Sequence, residues 1–110
     1  MLKTIKEMEK VPETALEWFS ENPGRWCQRK GMIGRAGNQV PYASGDAVAM
    51  CLGAASGFFH PDEPAISMAL GRAREVIAKK WGHTGLLPSW NDAKERTIDD
   101  ILYVCREARL

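Results

Sequence analysis

The feature that most constrains this chain is a run of 13 uncharged and mostly apolar residues at positions 47–59. A membrane-spanning helix needs about 18 such residues, so a run of this length is typical of a buried helix in a globular core. The composition agrees, because 45% of the residues are hydrophobic and 26% are charged. We therefore predict a central helix over 46–59, with Ser44 or Asp46 as its N-cap.

Other segments repeat apolar residues with a helical period. Pro12 suits the first position of one helix, Asp62 or Glu63 suits the cap of another, and Thr97 with Asp100 has the spacing of a capping box. The predicted helical segments around the central helix are 2–10, 12–21, 64–81 and 97–109. A chain of 110 residues is long enough for one core. We predict an all-α single domain of residues 1–110, a compact bundle of four to five helices.

Residues 24–45 interrupt this helical pattern, since they hold five glycines and one proline. The Gly37-Asn38 pair suits a tight turn between two short strands, 32–36 and 39–42. An irregular loop is the alternative. The sequence thus predicts either a glycine-rich loop or a small β-hairpin at about 24–43.

The glycine-rich segment is also the basic part of a chain whose net charge is only +1. Residues 23–45 carry four basic and no acidic side chains. Glycine N–H groups beside cations favour phosphate, and aromatic rings stack on bases, so nucleic acid or a nucleotide is one expected partner. An acidic protein surface is another, and a solvated loop without a partner is the third interpretation. The candidate binding residues are Arg25, Trp26, Arg29, Lys30 and Arg35.

A second candidate site lies at the end of the connector 82–96. Its residues are Trp90, Asn91, Asp92, Arg96 and Thr97. Structural roles explain each of them: Asp92 and Arg96 have the i, i+4 spacing of a helical ion pair, Asn91 and Thr97 suit caps, and the Trp90 N–H should find a carbonyl. The functional alternative is a polar pocket that grips a ligand, as in a small-molecule-binding enzyme.

Other chemistries find little support in the sequence. The three cysteines form no C-x-x-C pair, and together with the two histidines they lack the spacing of a zinc site. We predict no metal, no cofactor and no catalytic residues. The N-terminus lacks the apolar segment of a secretory signal, so we expect free thiols, a cytoplasmic location and no membrane partner.

Three blocks of the sequence resemble an uncharacterised family of small bacterial and phage proteins. The blocks are 24–28, with Trp-Cys-Gln; 46–55, with Cys-Leu-Gly-Ala; and 87–92, with Trp-Asn-Asp, followed by Arg-Thr at 96–97. The resemblance implies a compact helical domain and a phage or mobile-element setting, and it brings no known reaction. The functional expectation is therefore a non-enzymatic accessory protein that binds a host macromolecule, such as a host protein involved in defence.

Overall fold

Five α-helices and a two-stranded antiparallel sheet form the molecule in the computed structural model, which describes residues 1–110. Two 3₁₀ turns, Ile5–Glu7 and Pro23–Arg25, complete the regular structure. The mainly helical class predicted from the sequence is confirmed. In chain order the elements are α1 (Ala15–Glu21), β1 (Met32–Gly34), β2 (Ala47–Met50), α2 (Leu52–Phe58), α3 (Glu63–Trp81), α4 (Leu87–Asn91) and α5 (Ile98–Glu107).

The apolar run 47–59 is a strand followed by a helix, so the prediction of one helix over 46–59 was wrong for its first part. All four residues of β2 are buried. A short strand buried on both faces shows the same unbroken apolar pattern as a buried helix, which explains the error. The cap of α2 is Cys51 rather than Ser44 or Asp46, and its Sγ accepts a hydrogen bond from the Ala54 N–H at 3.3 Å.

The glycine-rich segment contributes β1, but the strand partner differs from the predicted hairpin. Strand β1 pairs with β2, with Met32 opposite Met50. The predicted tight turn is present, since Gly37 has a φ of 83° and its N–H donates to the Gly34 carbonyl at 3.0 Å. Residues 39–42 run beside β1 with one isolated bridge at Gln39. The Val40 N–H also donates to the Met32 carbonyl at 3.1 Å, so the predicted partner of β1 is present as a short bridged segment and not as a strand. The ladder with buried β2 is longer and has an apolar face.

Local capping signals placed two helices correctly. Asp62 caps α3 by accepting from the Ala65 N–H at 2.9 Å, and Gly82 ends it in the left-handed conformation with a φ of 66°. Thr97 begins α5 with the predicted capping box. These signals lie within a few residues of the helix ends that they define, so the sequence alone carries them.

The N-terminal predictions were less accurate. Residues 2–10 contain only the 3₁₀ turn Ile5–Glu7. Helix α1 begins at Ala15, because Thr14 caps it by accepting from the Glu17 N–H at 3.1 Å. Pro12 therefore lies in the preceding loop and does not open the helix.

The core lies where α1, α2, α3 and α5 pack together and includes the buried indoles of Trp18 and Trp90. Trp81 contacts the Trp90 ring edge-on, with centroids 4.9 Å apart, and meets Tyr103 at 5.8 Å. The radius of gyration is 13.0 Å, which is the size of a compactly folded chain of this length. None of the helices combines the length and apolar character needed to cross a bilayer.

Candidate functional site

Asn91 joins the two candidate sites that the sequence predicted. The residue is 1% exposed. Its Oδ1 accepts from the Trp26 indole N–H at 2.9 Å and from the Leu52 N–H at 3.0 Å. Its Nδ2 donates to the Cys27 carbonyl at 3.1 Å and to Asp92 Oδ1 at 2.9 Å. Asn91, Trp26, Cys27, Leu52 and Asp92 form what we call the Asn91 junction, and it contains a residue from each of the three sequence blocks.

The basic loop that follows Cys27 is held against this junction. Gln28 Nε2 donates to the carbonyls of Asn91 and Ala93, at 3.0 Å each. The backbone N–H of Arg29 donates to Asp92 Oδ1 at 2.8 Å. Arg29 has a φ of 70°, which is costly for a residue with a side chain, so these bonds stabilise a strained turn.

Arg96 does not pair with Asp92, and that prediction was wrong. Helix α4 ends at Asn91, so Asp92 and Arg96 do not share a helix. The Arg96 Nη1 instead lies 3.4 Å from Asp100 Oδ2, and its Nε donates to the Trp90 carbonyl at 2.9 Å. Its guanidinium carbon also lies 4.1 Å from the Trp90 ring centroid and 5.3 Å from that of Trp81. Arg96 thus connects α5 to the aromatic core.

The remaining residues of this motif also act locally. Thr97 caps α5 by accepting from the Asp100 N–H at 3.2 Å, as predicted. The Trp90 indole N–H is buried and has no hydrogen-bond partner, so the expected bond to a carbonyl is absent. The ring is nevertheless completely buried, and its packing explains why the residue is large and aromatic.

The candidate basic residues do not form one surface. Arg25 is 1% exposed, and its guanidinium donates to the Lys3 carbonyl at 2.7 Å, the Val48 carbonyl at 2.9 Å and Glu21 Oε1 at 2.9 Å. These charge-assisted bonds engage both Nη atoms of the guanidinium, whereas its Nε is buried without a partner. Arg25 therefore holds the N-terminal segment and β2 against α1, away from solvent.

The other three cations of the segment are exposed. Arg35 pairs with the carboxylate of Glu7. The Lys30 ammonium donates to the Gly37 carbonyl at 3.2 Å. The Arg29 side chain has no protein partner, although its backbone is fixed by Asp92. Arg29 and Lys30 are therefore the cations of this segment that have no carboxylate partner.

The cysteines near the junction are protonated at neutral pH. Burial raises the pKa of the Cys27 thiol to about 12, and the nearby Cys51 and Asp92 add to this effect. Burial also raises the pKa of Cys51. A thiol is nucleophilic only as the thiolate, so neither group is activated for covalent chemistry. All three cysteines are free, and no three His, Cys, Asp or Glu side chains lie together as metal ligands.

Sequence reasoning missed a groove between α3 and α5. Its volume is about 440 Å³. Its charged lining residues are Arg72, Glu75, Lys79, Lys80, Glu107 and Arg109. The signal was present in the sequence, because residues 72, 79 and 80 are seven and eight positions apart and so share one face of a helix. Lys79 and Lys80 also lie in the last turn of α3, where cations complement the negative end of the helix dipole.

Comparison with known proteins agrees with the resemblance that the three blocks suggested. No curated protein and no solved structure matches the chain. A match to a family of unknown function extends over residues 21–109 and includes all three blocks that meet at the Asn91 junction. The chain therefore belongs to that family, DUF6197.

Proposed function

We propose that this chain is a non-enzymatic binding protein of phage or mobile-element type that acts by contacting a host macromolecule. The observation that carries the proposal is that the polar side chains of the motif 90–97 form hydrogen bonds inside the fold. Asn91 uses all four of its hydrogen-bonding positions on groups of the same chain, Asp92 Oδ1 accepts from the Arg29 N–H, and Arg96 Nε donates to the Trp90 carbonyl. A surface contact with a partner is the function that this arrangement supports best.

The enzyme alternative has less support. A catalytic site needs a base or nucleophile that can reach a substrate. Asn91 is buried and uses all four of its hydrogen-bonding positions, and the Asp92 carboxylate receives the Arg29 and Asn91 N–H groups. Burial keeps the pKa of the Cys27 thiol near 12, so it is a poor nucleophile.

Nucleic-acid or nucleotide binding through residues 23–43 also has less support than protein binding. Arg25 is inside the molecule and Arg35 is paired with Glu7. Each cation that neutralises a phosphate contributes to affinity through counterion release, so the two that remain give only a weak electrostatic contribution. The phage or mobile-element setting rests on the sequence blocks at 24–28, 46–55 and 87–97.

The test is capture of a partner by the tagged full chain from a bacterial lysate, followed by reconstitution from purified components. We expect a small set of proteins that excess untagged chain displaces, and at least one of them should bind the purified chain in a saturable manner. Proteins retained equally by the tag alone, with no displacement, would contradict the proposal. Fluorescence anisotropy with single-stranded and duplex oligonucleotides at low and physiological salt tests the alternative, since phosphate binding weakens steeply as salt is added.

A further inference from the structure

The groove between α3 and α5 gathers four cationic side chains that have no carboxylate partner. Arg72, Lys79 and Lys80 lie on α3, and Arg109 follows α5. Glu75 and Glu107 also line the groove, so its side chains carry a net charge of +2. The ion pairs of the chain all lie elsewhere: Lys6–Asp46, Arg25–Glu21, Arg35–Glu7 and Arg96–Asp100.

Two of these cations are already held in position. Arg72 Nε donates to the Ala108 carbonyl at 2.7 Å and its Nη2 donates to the Arg109 carbonyl at 3.4 Å. The guanidinium has five N–H donors, so three stay free for a ligand. The Lys80 ammonium lies 4.5 Å from the Tyr103 ring centroid and 5.6 Å from that of Trp81. Side chains that are ordered before binding lose less conformational entropy when a ligand arrives.

We propose that this groove binds a carboxylate-rich segment of a partner protein. The inference rests on the function proposed above and names the chemistry of its partner. The groove volume of about 440 Å³ is in the range of ligand-binding clefts. Oppositely charged surfaces attract and orient each other, and a segment with separated Asp or Glu side chains complements cations that are themselves separated.

The two carboxylates in the groove favour a polypeptide over a nucleic acid. Every nucleotide of a nucleic-acid strand carries a phosphate, so its uninterrupted negative charge would meet Glu75 and Glu107 as well as the cations. An acidic peptide can place neutral residues opposite those two positions. The aromatic ring of the groove is also occupied, because Lys80 lies over Tyr103 where a base would otherwise stack.

The experiment measures binding of fluorescent peptides to the full chain by anisotropy. The probes are a peptide of alternating Glu and Ser, the same peptide with Gln in place of Glu, and a single-stranded oligonucleotide. The variant is Lys79→Gln with Lys80→Gln, two exposed side chains. The matched control is Lys10→Gln with Lys94→Gln, which removes the same charge from exposed positions outside the groove. Circular dichroism confirms that each variant is folded.

We expect the chain to bind the Glu peptide and not the Gln peptide. Removing two charged contacts should weaken that binding about tenfold, and the control should change it less than about twofold. Failure to bind the Glu peptide, tighter binding of the oligonucleotide, or an equal loss in the control would overturn the inference. If the Lys79/Lys80 variant captures the same lysate partner as the native chain does, the groove assignment fails while the proposed function stands. If the native chain captures no partner, the proposed function fails.

Discussion

Replacing Asn91 with alanine removes four hydrogen bonds from the interior at once. Two of the partners, the Leu52 N–H and the Cys27 carbonyl, belong to buried residues. The Trp26 indole is only half-buried, so its N–H can turn to water at lower cost. A buried polar group without a partner costs about 1–3 kcal/mol, so two of them should lower the free energy of unfolding by about 2–6 kcal/mol. The total free energy of unfolding of a small domain is about 5–15 kcal/mol, so this substitution should remove a large part of it.

The assay is urea unfolding followed by tryptophan fluorescence, with the free energy of unfolding obtained by linear extrapolation. The matched control is Asn38→Ala, because Asn38 is exposed and its side chain makes no hydrogen bond. We expect the free energy of unfolding of this control to stay within about 0.5 kcal/mol of the native value. The Asn91 junction does not stabilise the fold as argued if the free energy of unfolding of Asn91→Ala lies within about 1 kcal/mol of the native value. The same conclusion follows if Asn38→Ala loses as much stability as Asn91→Ala.

Asn91→Asp separates the accepting bonds from the donating ones. A carboxylate keeps the bonds from the Trp26 and Leu52 N–H groups but cannot donate to the Cys27 carbonyl or to Asp92. Burial and the Asp92 charge raise the pKa of the introduced carboxyl in the folded state. The folded state then binds more protons than the unfolded state, so the stability of this variant should fall as pH rises above about 4. A pH dependence no steeper than that of Asn91→Ala would refute the reasoning.

Further predictions concern caps and buried thiols. Gly82→Ala should lower the free energy of unfolding by about 1 kcal/mol, because Gly82 has a φ of 66°. Gly71→Ala should raise it by about 0.5–1 kcal/mol, because Gly71 lies mid-helix with open space at the Cβ position. Urea unfolding measures both changes. Thr97→Ala should cost about 1 kcal/mol by the same measurement, and Thr97→Ser should recover most of it. The thiols of Cys27 and Cys105, whose pKa values burial raises from 9.0 to about 12, release protons on unfolding above pH 9. Stability should therefore fall from about pH 9 upward, by up to about 1.4 kcal/mol per pH unit for each thiol, and the Cys27→Ala/Cys105→Ala variant should show a shallower fall.

The helices that sequence analysis located correctly are those whose signals are local. Asp62 and Gly82 lie at the two ends of α3, and the Thr97–Asp100 capping box begins α5. A side chain that bonds a backbone N–H three residues away acts in the same manner in almost any tertiary context. Helical periodicity and capping are therefore sufficient to predict these two elements.

Strand β2 was missed because its structure depends on a distant segment. Ala47–Met50 is extended because it pairs with β1, which lies 13 residues earlier in the chain. Nothing within the apolar run itself distinguishes a buried strand from a buried helix of the same composition. The residue that signals the change is Cys51, a weak capping residue that capping preferences alone do not identify.

The contacts of the candidate site residues could not be predicted for the same physical reason. Glu21 and Arg25 have visible i, i+4 spacing, but the carbonyls that bury Arg25 belong to Lys3 and Val48, 22 and 23 residues away. The contacts of Asn91 with the Trp26 side chain and the Cys27 backbone span 65 and 64 residues. The sequence showed which residues were unusual, whereas only the fold shows which groups they contact.

The Asn91 junction and the α3–α5 groove share no residues, and this separation makes the two sets of experiments independent. The junction consists of Trp26, Cys27, Leu52, Asn91 and Asp92, whereas the groove is lined by α3, α5 and Arg109. Effects of substitutions at sites without shared partners usually add. An Asn91 variant should therefore lower stability while the fraction that remains folded binds the Glu peptide with native affinity. Loss of affinity in that folded fraction would mean that the junction also shapes the groove and that the two sites are coupled.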